Sequence, residues 1–325
     1  MPPTDPTERA RSATESPAPL TESRTAAAVF DASAELLLSQ NRVLERVVRG
    51  ASLNETFDLY LRSIEAQSPG MLSSILLLDE DGVHVRHVAA PSLPESYIRA
   101  IDGQPIGPNA GSCGTAAYRG EAVVVEDIAT DPLWAEYRDG ALSHGLRACW
   151  STPILDAQQR VLGTFALYFR APGRPSPRHR HLIGVTTHTA AIAIVAHRER
   201  QQMARRLAQL EEAQLVAQLG SYDWDVRSNT VQRSKELCRI FGLTPDEFAP
   251  TMEAYFERVH SADRATTKDI IERSARDRTP FDFEERIVRP DGAVRRLHSQ
   301  GTWMTDAGGE SARLVGVCHD ITERR

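Results

Sequence analysis

Cysteine is scarce in this chain of 325 residues, and the four present (Cys113, Cys149, Cys238, Cys318) lie far apart with no CxxC spacing. That excludes a disulfide framework and a thiolate zinc site, and fits free thiols in a reducing compartment. Long apolar runs are missing too. None approaches the ~18 residues a membrane helix requires, and the first residues, MPPTDPTERARSATESPAPLTESR, contain no apolar signal-peptide core. A cytoplasmic location with no membrane partner is the expectation. Basic blocks are absent, net charge is −6, and no helix-turn-helix with a basic face is visible, so nucleic acid is not an expected partner. No G-x-x-x-x-G-K-[ST] loop, no H-E-x-R-x-P-like phosphoacceptor box, no Gly-rich ATP lid and no nucleophile elbow occurs. The sequence therefore predicts no catalytic residue, no metal site and no phosphorylation of residues 1–325 by ATP.

Against these absences stands one long stretch. From Arg178 to Leu219 the chain has no proline and is rich in Ala, Arg, Gln, Glu and Leu, all good helix formers. As a single helix it would extend roughly 60 Å. Its first half is apolar (Leu182, Ile183, Val185, Ala190, Ile192, Ile194, Val195) and reads as docked on a domain. Its second half is charged, with Met203, Leu207 and Leu210 at four-then-three spacing, a narrow seam of the coiled-coil kind. A homodimer through this seam is expected. His179, His181, His188 and His197 decorate the helix and are expected to be solvated, since His181 and His188 lie about 10 Å apart, too far to share a metal.

The predicted domains are a disordered tail over 1–30, a first domain over 31–198, a helical linker over 199–219 and a second domain over 220–325. In the first, Ala32 to Gly50 reads as a helix, and Ser52 with Glu55 forms a capping box that starts another, ending near Gly70. Residues 71–90 form a hairpin around Asp81-Gly82, which points His84 and His87 to opposite faces. A Gly-rich turn and short helix run through Tyr118. A strand at Ala122–Glu126, irregular helix around Leu133–His144, a strand at Ala148–Leu155 and a final strand, VLGTFALYF, follow. The order gives an antiparallel sheet flanked by helices, an α+β domain. From Gly220 come two strands around Asn229, a helix ending at Gly242, a capping box at Thr244–Glu247 opening a further helix, a helical run over residues 256–278, and three strands with turns at Asp291-Gly292 and Gly308-Gly309.

Specific residues then narrow the reading. Gly111-Ser112-Cys113-Gly114-Thr115-Ala116, Val125-Glu126-Asp127-Ile128, Asp131-Pro132-Leu133-Trp134, His144-Gly145-Leu146-Arg147, Trp150-Ser151-Thr152-Pro153-Ile154 and Leu162-Gly163 resemble a GAF domain over about residues 33–198. Gly220 through Val226, Leu237 through Leu243, His260–Arg264, Arg289–Gly292 and Gly316 through Arg324, closing on Asp320-Ile321-Thr322-Glu323-Arg324, resemble a PAS domain. Together they resemble the input half of bacterial sensor histidine kinases. The resemblance implies a cytoplasmic signal-transduction sensor of two-component type that takes a small ligand or redox input and relays it through a dimeric helix. A kinase output or response regulator would be its partner in a phosphorelay. It also implies a GAF pocket, for which Cys113, Trp134, Tyr137, His144 and Trp150 are candidates. Met203, Leu207, Leu210, Asp320, Thr322 and Glu323 are candidates for signal relay.

No flavin, bilin, haem or cyclic-nucleotide motif is present, so the ligand stays unspecified. His260 is expected to cap a helix. Asp320 and Glu323 should form a D-x-x-E capping box opening a helix at Ile321, frayed over Ile321–Arg325. Two alternatives differ in class. One is a thiol enzyme resembling free methionine sulfoxide reductases, whose G-x-x-C-G-x-A turn Cys113 matches but whose second loop cysteine is missing from DPLWAEY. The other is the sensory fragment of a diguanylate cyclase or phosphodiesterase, or of a kinase, whose output would lie beyond Arg325.

Overall fold

The computed structural model describes residues 20–305 and 311–323. The chain divides into two compact units between Arg200 and Gln201. Residues 1–19 of the predicted tail lie outside the described residues; from Leu20 the chain is helical.

In the first unit, α1 (Leu20–Val48) and α2 (Leu53–Glu65) precede the hairpin β1 (Leu72–Leu78) and β2 (Val85–Ala89). Ser52 caps α2 by accepting the Glu55 N–H at 3.3 Å, as its S-x-x-E pattern implies. Phe57, Tyr60, Leu61 and Ile64, at helical spacing, are buried. The helix stops at Glu65, before Gly70, and the Glu65 carboxylate accepts from the N–H and hydroxyl of Ser73. Next come α3 (Glu95–Ile101), α4 (Gly111–Arg119), β3 (Val123–Val125), a 3-10 turn (Pro132–Trp134), α5 (Arg138–Ser143), β4 (Ala148–Leu155) and β5 (Val161–Phe169). The five strands form one antiparallel sheet in the order β2-β1-β5-β4-β3.

Strand alternation splits this sheet into two environments. Phe165 and Leu167 of β5 face one way, packed with Phe57, Leu61 and Ile64 of α2 and with Leu182, Ile183, Ala190 and Ile194. Those last four belong to α6 (Pro177–Ala217), a single helix of 41 residues. Ala166 and Tyr168 face the other way, with Cys149, Ile128, Trp134 and Tyr97. The first half of α6 is thus built into the core of the first unit, and Met203, Leu207 and Leu210 of its second half are exposed. His179 is not solvated as expected: its ring packs on Trp150 and Phe169 at 5.2 and 5.4 Å, and its Nδ1 accepts the Ser176 N–H.

In the second unit, β6 (Leu219–Asp225) and β7 (Thr230–Arg233) pair around Asn229. Ser234 caps α7 (Lys235–Phe241), which Gly242 ends in the left-handed conformation. The helix expected from Thr244 does not form. Glu247 reaches back to the N–H and hydroxyl of Thr244 as half of a capping box, but Pro250 follows too soon for a helix, and Phe248 buries against Phe241 instead. The predicted helical run beyond it is two helices, α8 (Met252–Arg258) and α9 (Ser261–Asp277). They are parted at Val259–His260, where the His260 Nδ1 accepts the Ala262 N–H in the expected capping role. Asp263, in the first turn of α9, binds both the side chain and the backbone of Arg286, and hydrogen bonding to that guanidinium holds its pKa down at about 2.

The strands β8 (Phe281–Val288), β9 (Val294–Thr305) and β10 (Ser311–Asp320) complete a sheet in the order β7-β6-β10-β9-β8. The Gly308-Gly309 turn lies outside the described residues. Both units are thus five-stranded antiparallel sheets flanked by helices, an α+β architecture with a long helix between them.

The end of β10 corrects the expected capping box. Asp320 Oδ1 accepts from the N–H and hydroxyl of Thr322, two residues on, rather than from Glu323. Residues 321–323 form a turn, with no helix among the described residues. The competing Asx turn wins because Thr322 supplies two donors at once. Its hydroxyl also accepts the Arg296 N–H at 2.9 Å, and Arg295 lies 3.6 Å from Asp320 Oδ2. Residues 324–325 are outside the described residues.

Candidate functional site

The first unit holds a cavity of about 40 Å³ between the sheet and α3, α4 and the 3-10 turn, lined by Tyr97, Gln104, Ser112, Cys113, Trp134, Tyr137 and Tyr168 among others. Gly111 opens α4 at φ +59, which a side-chain-bearing residue adopts only with strain, and Trp134 lies against it. The Trp134 indole N–H donates to Ser112 Oγ at 3.0 Å, and the Ser112 hydroxyl donates to the Cys149 carbonyl at 3.0 Å. This chain of two bonds pins the first turn of α4 onto β4.

The floor of the site is unexpectedly polar for a sheet interior. Ser74 and Ser151 flank Ala166 across three strands, Thr164 lies two residues from Ala166 on the same face, and Cys149 pairs with Tyr168. Ser74 Oγ lies 3.3 Å from the Tyr168 hydroxyl, and Cys113 Sγ lies 3.5 Å from that same hydroxyl. Ser151 Oγ and Thr164 Oγ1 are buried with no hydrogen-bond partner. A buried hydroxyl left unpaired costs about 1–3 kcal/mol, and the group that these two act on is the Cys113 thiol.

The Cys113 thiol is lowered to about 7, chiefly by interaction with the Cys149 thiol and then by Tyr168, Ser151 and Thr164, against burial that opposes it. Burial pushes the Cys149 thiol and the Tyr168 and Tyr97 hydroxyls well above their ordinary values.

Of the residues singled out by sequence, Cys113, Trp134 and Tyr137 line this cavity. His144 stands behind it, edge-on to the ring of Tyr97 at 5.7 Å and near Ser96 Oγ. Trp150 is a correction. It lies on the opposite face of the sheet, stacked on Phe169 at 4.4 Å, with its indole N–H bonded to the Gly173 carbonyl. It pairs with Leu167, whereas its neighbour Cys149 pairs with Tyr168, so strand parity sends the two side chains apart. Tyr97, Cys149 and Tyr168 were missed; the alternation of β4 and β5 was the available signal, but a strand apolar on both faces does not say which face is which.

The second unit has a smaller cavity, about 30 Å³, lined by Tyr222, Arg233, Phe241, Met252, Tyr255, Phe281 and Cys318 among others. Beside it Glu285 is buried in the sheet, accepting from the Tyr255 hydroxyl at 2.5 Å and the Ser299 hydroxyl at 2.8 Å. Burial raises its pKa to about 7, in spite of those bonds. Burial likewise lowers Arg233 to about 10; its guanidinium is held by the carbonyls of Ala249 and Thr251.

Among the described residues, no group of three or more His, Cys, Asp or Glu could hold a metal ion, and no helix is long and apolar enough to cross a membrane.

Comparison with known proteins agrees with this geometry. Residues 50–195 match the GAF domain and residues 230–318 the PAS fold. A methyl sulfide methyltransferase-associated sensor of Methanosarcina acetivorans is 40% identical over 302 residues, covering 90% of this chain and 29% of its own length. A blue-light-activated histidine kinase of Brucella ovis is 30% identical over 126 residues, covering 38% of this chain and 24% of its own. The chain thus spans less than a third of the length of these relatives. A solved domain of a putative two-component sensor histidine kinase from Sinorhizobium meliloti 1021 is 27% identical, covers 47% of this chain and 96% of its own, and superposes with a TM-score of 0.37. The chain thus carries a GAF domain followed by a PAS fold, and sensor proteins are among those it is similar to.

Proposed function

We propose that this chain is a cytoplasmic signal-transduction module of two-component type, in which the state of the GAF cavity is relayed through α6 in a homodimer to a kinase or response-regulator partner. The observation that carries the reading is the double character of α6. Leu182, Ile183, Ala190 and Ile194 are part of the core beneath the GAF sheet, while Met203, Leu207 and Leu210 of the same helix are 57–67% exposed. A helix so anchored cannot ignore a shift of the sheet, and its exposed seam gives a second copy something to bury.

The cavity residues Tyr97, Cys113, Trp134, Tyr137 and Tyr168 are the input site, and two packings of α6 with different affinity for the occupied cavity supply the mechanism. Asp320, Thr322 and Glu323, at the end of β10 beside the start of β6, pass the state onward. The kinship with sensor histidine kinases supports this class of output.

Narrowing the GAF cavity by Ala110→Val, at a residue of its wall, mimics occupancy. Hydrogen exchange over residues 199–217 should change relative to the unaltered chain, with thermal melting showing that the variant is folded. Unchanged exchange in a folded variant would defeat the relay.

A further inference from the structure

The methionine-sulfoxide-reductase type of thiol chemistry needs a second cysteine, and the loop where sequence would look for it, DPLWAEY, has none. The fold brings one from elsewhere. Cys149 on β4 and Cys113 in the first turn of α4 both stand beside Tyr168: Cys149 is its cross-strand partner, with its thiol within interaction range of the Cys113 thiol, and Cys113 Sγ lies 3.5 Å from the Tyr168 hydroxyl. The Ser112 hydroxyl, one residue from Cys113, is bonded to the Cys149 carbonyl. Cys113 is partly exposed at the cavity wall and Cys149 is buried behind it. One thiol thus faces an incoming molecule and the other waits behind.

The size of the cavity decides what can enter. About 40 Å³ is room for a molecule of one or two waters' bulk, far below the ~300 Å³ of a pocket for a metabolite-sized ligand. Ser112 and Tyr168 are the hydroxyl-bearing residues of its wall nearest Cys113, and Ser151 and Thr164 are buried in the sheet behind them. The Ser151 and Thr164 hydroxyls, with that of Tyr168, are close enough to the Cys113 sulfur to favour its thiolate, and the Cys149 thiol favours it most.

We infer that Cys113 and Cys149 form a reversible thiol–disulfide sensor for hydrogen peroxide inside the GAF domain. The Cys113 thiolate attacks one oxygen of the peroxide. The O–O bond breaks, an S–O bond forms, and Cys113 becomes a sulfenic acid while the second oxygen leaves as hydroxide. The sulfur of Cys149 then attacks the sulfenic sulfur. The S–S bond forms, the S–O bond breaks, and the proton of Cys149 and the departing oxygens leave as water. In sum, two thiols and one peroxide give one disulfide and two waters. Tyr168 is a positioning residue, its hydroxyl 3.5 Å from the Cys113 sulfur. The disulfide would tie α4 to β4 and change the cavity by a covalent bond instead of a bound ligand. This rests on the GAF cavity being the input site of the proposed sensor.

The test is peroxide titration of the full reduced chain, followed by alkylation, digestion without reductant and mass spectrometry. A linked pair of peptides carrying Cys113 and Cys149, lighter by two hydrogens and released by dithiothreitol, is expected at near-stoichiometric peroxide. In Cys149→Ser the sulfenic acid should persist on Cys113 and be captured by dimedone. In Cys113→Ser, Cys149 should be at least roughly 10-fold slower to oxidise, because the pair has lost its thiolate. The rate in the unaltered chain should fall roughly 90-fold from pH 8 to pH 5 as the Cys113 thiolate, at a pKa of about 7, is protonated. Oxidation of Cys113 straight to sulfinic acid with no linked peptide, or linkage only to Cys238 or Cys318, would overturn the inference; mapping in the unaltered chain decides this even if a variant does not fold. A disulfide that forms without altering exchange in residues 199–217 would leave this inference standing and count against the relay. An absent disulfide would leave the relay open to another input.

Discussion

The backbone N–H of Asp320 donates to the carbonyl oxygen of Gln218 at 3.1 Å. Gln218, at φ +52, is the residue with which the chain leaves α6 for the PAS sheet, and Asp320 closes the last strand of that sheet. Entry and exit of the PAS fold are therefore joined, by this hydrogen bond and by the pairing of His319 with Leu219. The exit is braced further by Thr322 on Asp320 Oδ1 and by the Ile321 N–H donating to the Arg296 carbonyl.

Replacing Asp320 by Ala removes the acceptor for both Thr322 donors and the partner of Arg295. Equilibrium urea unfolding should show a loss of about 1–2 kcal/mol, and amide exchange at 321–323 should accelerate. An unchanged exchange rate would mean the turn holds without the carboxylate.

Glu285 makes the PAS unit pH-dependent. Its pKa rises from 4.5 unfolded to about 7 folded. Between these values the folded state binds a proton that the unfolded state has released, so stability falls as pH rises through that window. The loss is of the order of 3 kcal/mol, complete above about pH 7 and absent below about pH 4.5. Glu285→Gln should flatten this part of the profile and be the more stable protein at pH 8. Urea midpoints at pH 5 and pH 8 for both proteins decide it; parallel profiles would show that Glu285 titrates normally.

Trp150 and Trp134 should separate cleanly. Trp150→Ala empties a site between Phe169 and His179 and should cost about 3–5 kcal/mol, without changing the reactivity of Cys113 toward a thiol reagent. Trp134→Phe loses only the bond to Ser112, at about 1 kcal/mol, yet it should alter that reactivity. A change of Cys113 reactivity in the folded Trp150 variant would contradict the assignment of the two faces.

Gly163→Ala should be poorly tolerated. A Cβ there would stand 2.1 Å from the Leu76 carbonyl oxygen on the neighbouring strand, where backbone cannot yield as a side chain would. A loss of at least about 2 kcal/mol in thermal or urea unfolding is expected; a neutral variant would mean that β1 and β5 part more readily than their pairing implies.

Much of this fold is legible in the chain because its signals are local. Ser52 capping α2, Gly242 ending α7, Asn229 turning β6 into β7 and the apolar run of β5 each act through near neighbours. Failures occur where a local signal meets a tertiary demand. The capping residues Thr244 and Glu247 are genuine, but burial of Phe248 and the nearby Pro250 leave only a turn. Asp320 has the spacing for Glu323, but Thr322 offers two donors sooner. The site is legible only in part. Cys113 announces itself in a Gly-rich turn, whereas its neighbour Cys149 becomes visible only when the register of β4 on β5 is known. That same register sends Trp150, the more conspicuous residue, to the wrong side for a ligand.

Sedimentation equilibrium of the full chain, alone and with Leu207→Asp and Leu210→Asp together, tests the dimeric relay most directly. The account predicts a particle of twice the 35.9 kDa chain mass for the unaltered protein and one of 35.9 kDa for the double variant, with both folded by circular dichroism. An unaltered protein that sediments as a monomer at micromolar concentration, or a double variant whose mass is unchanged, would contradict it.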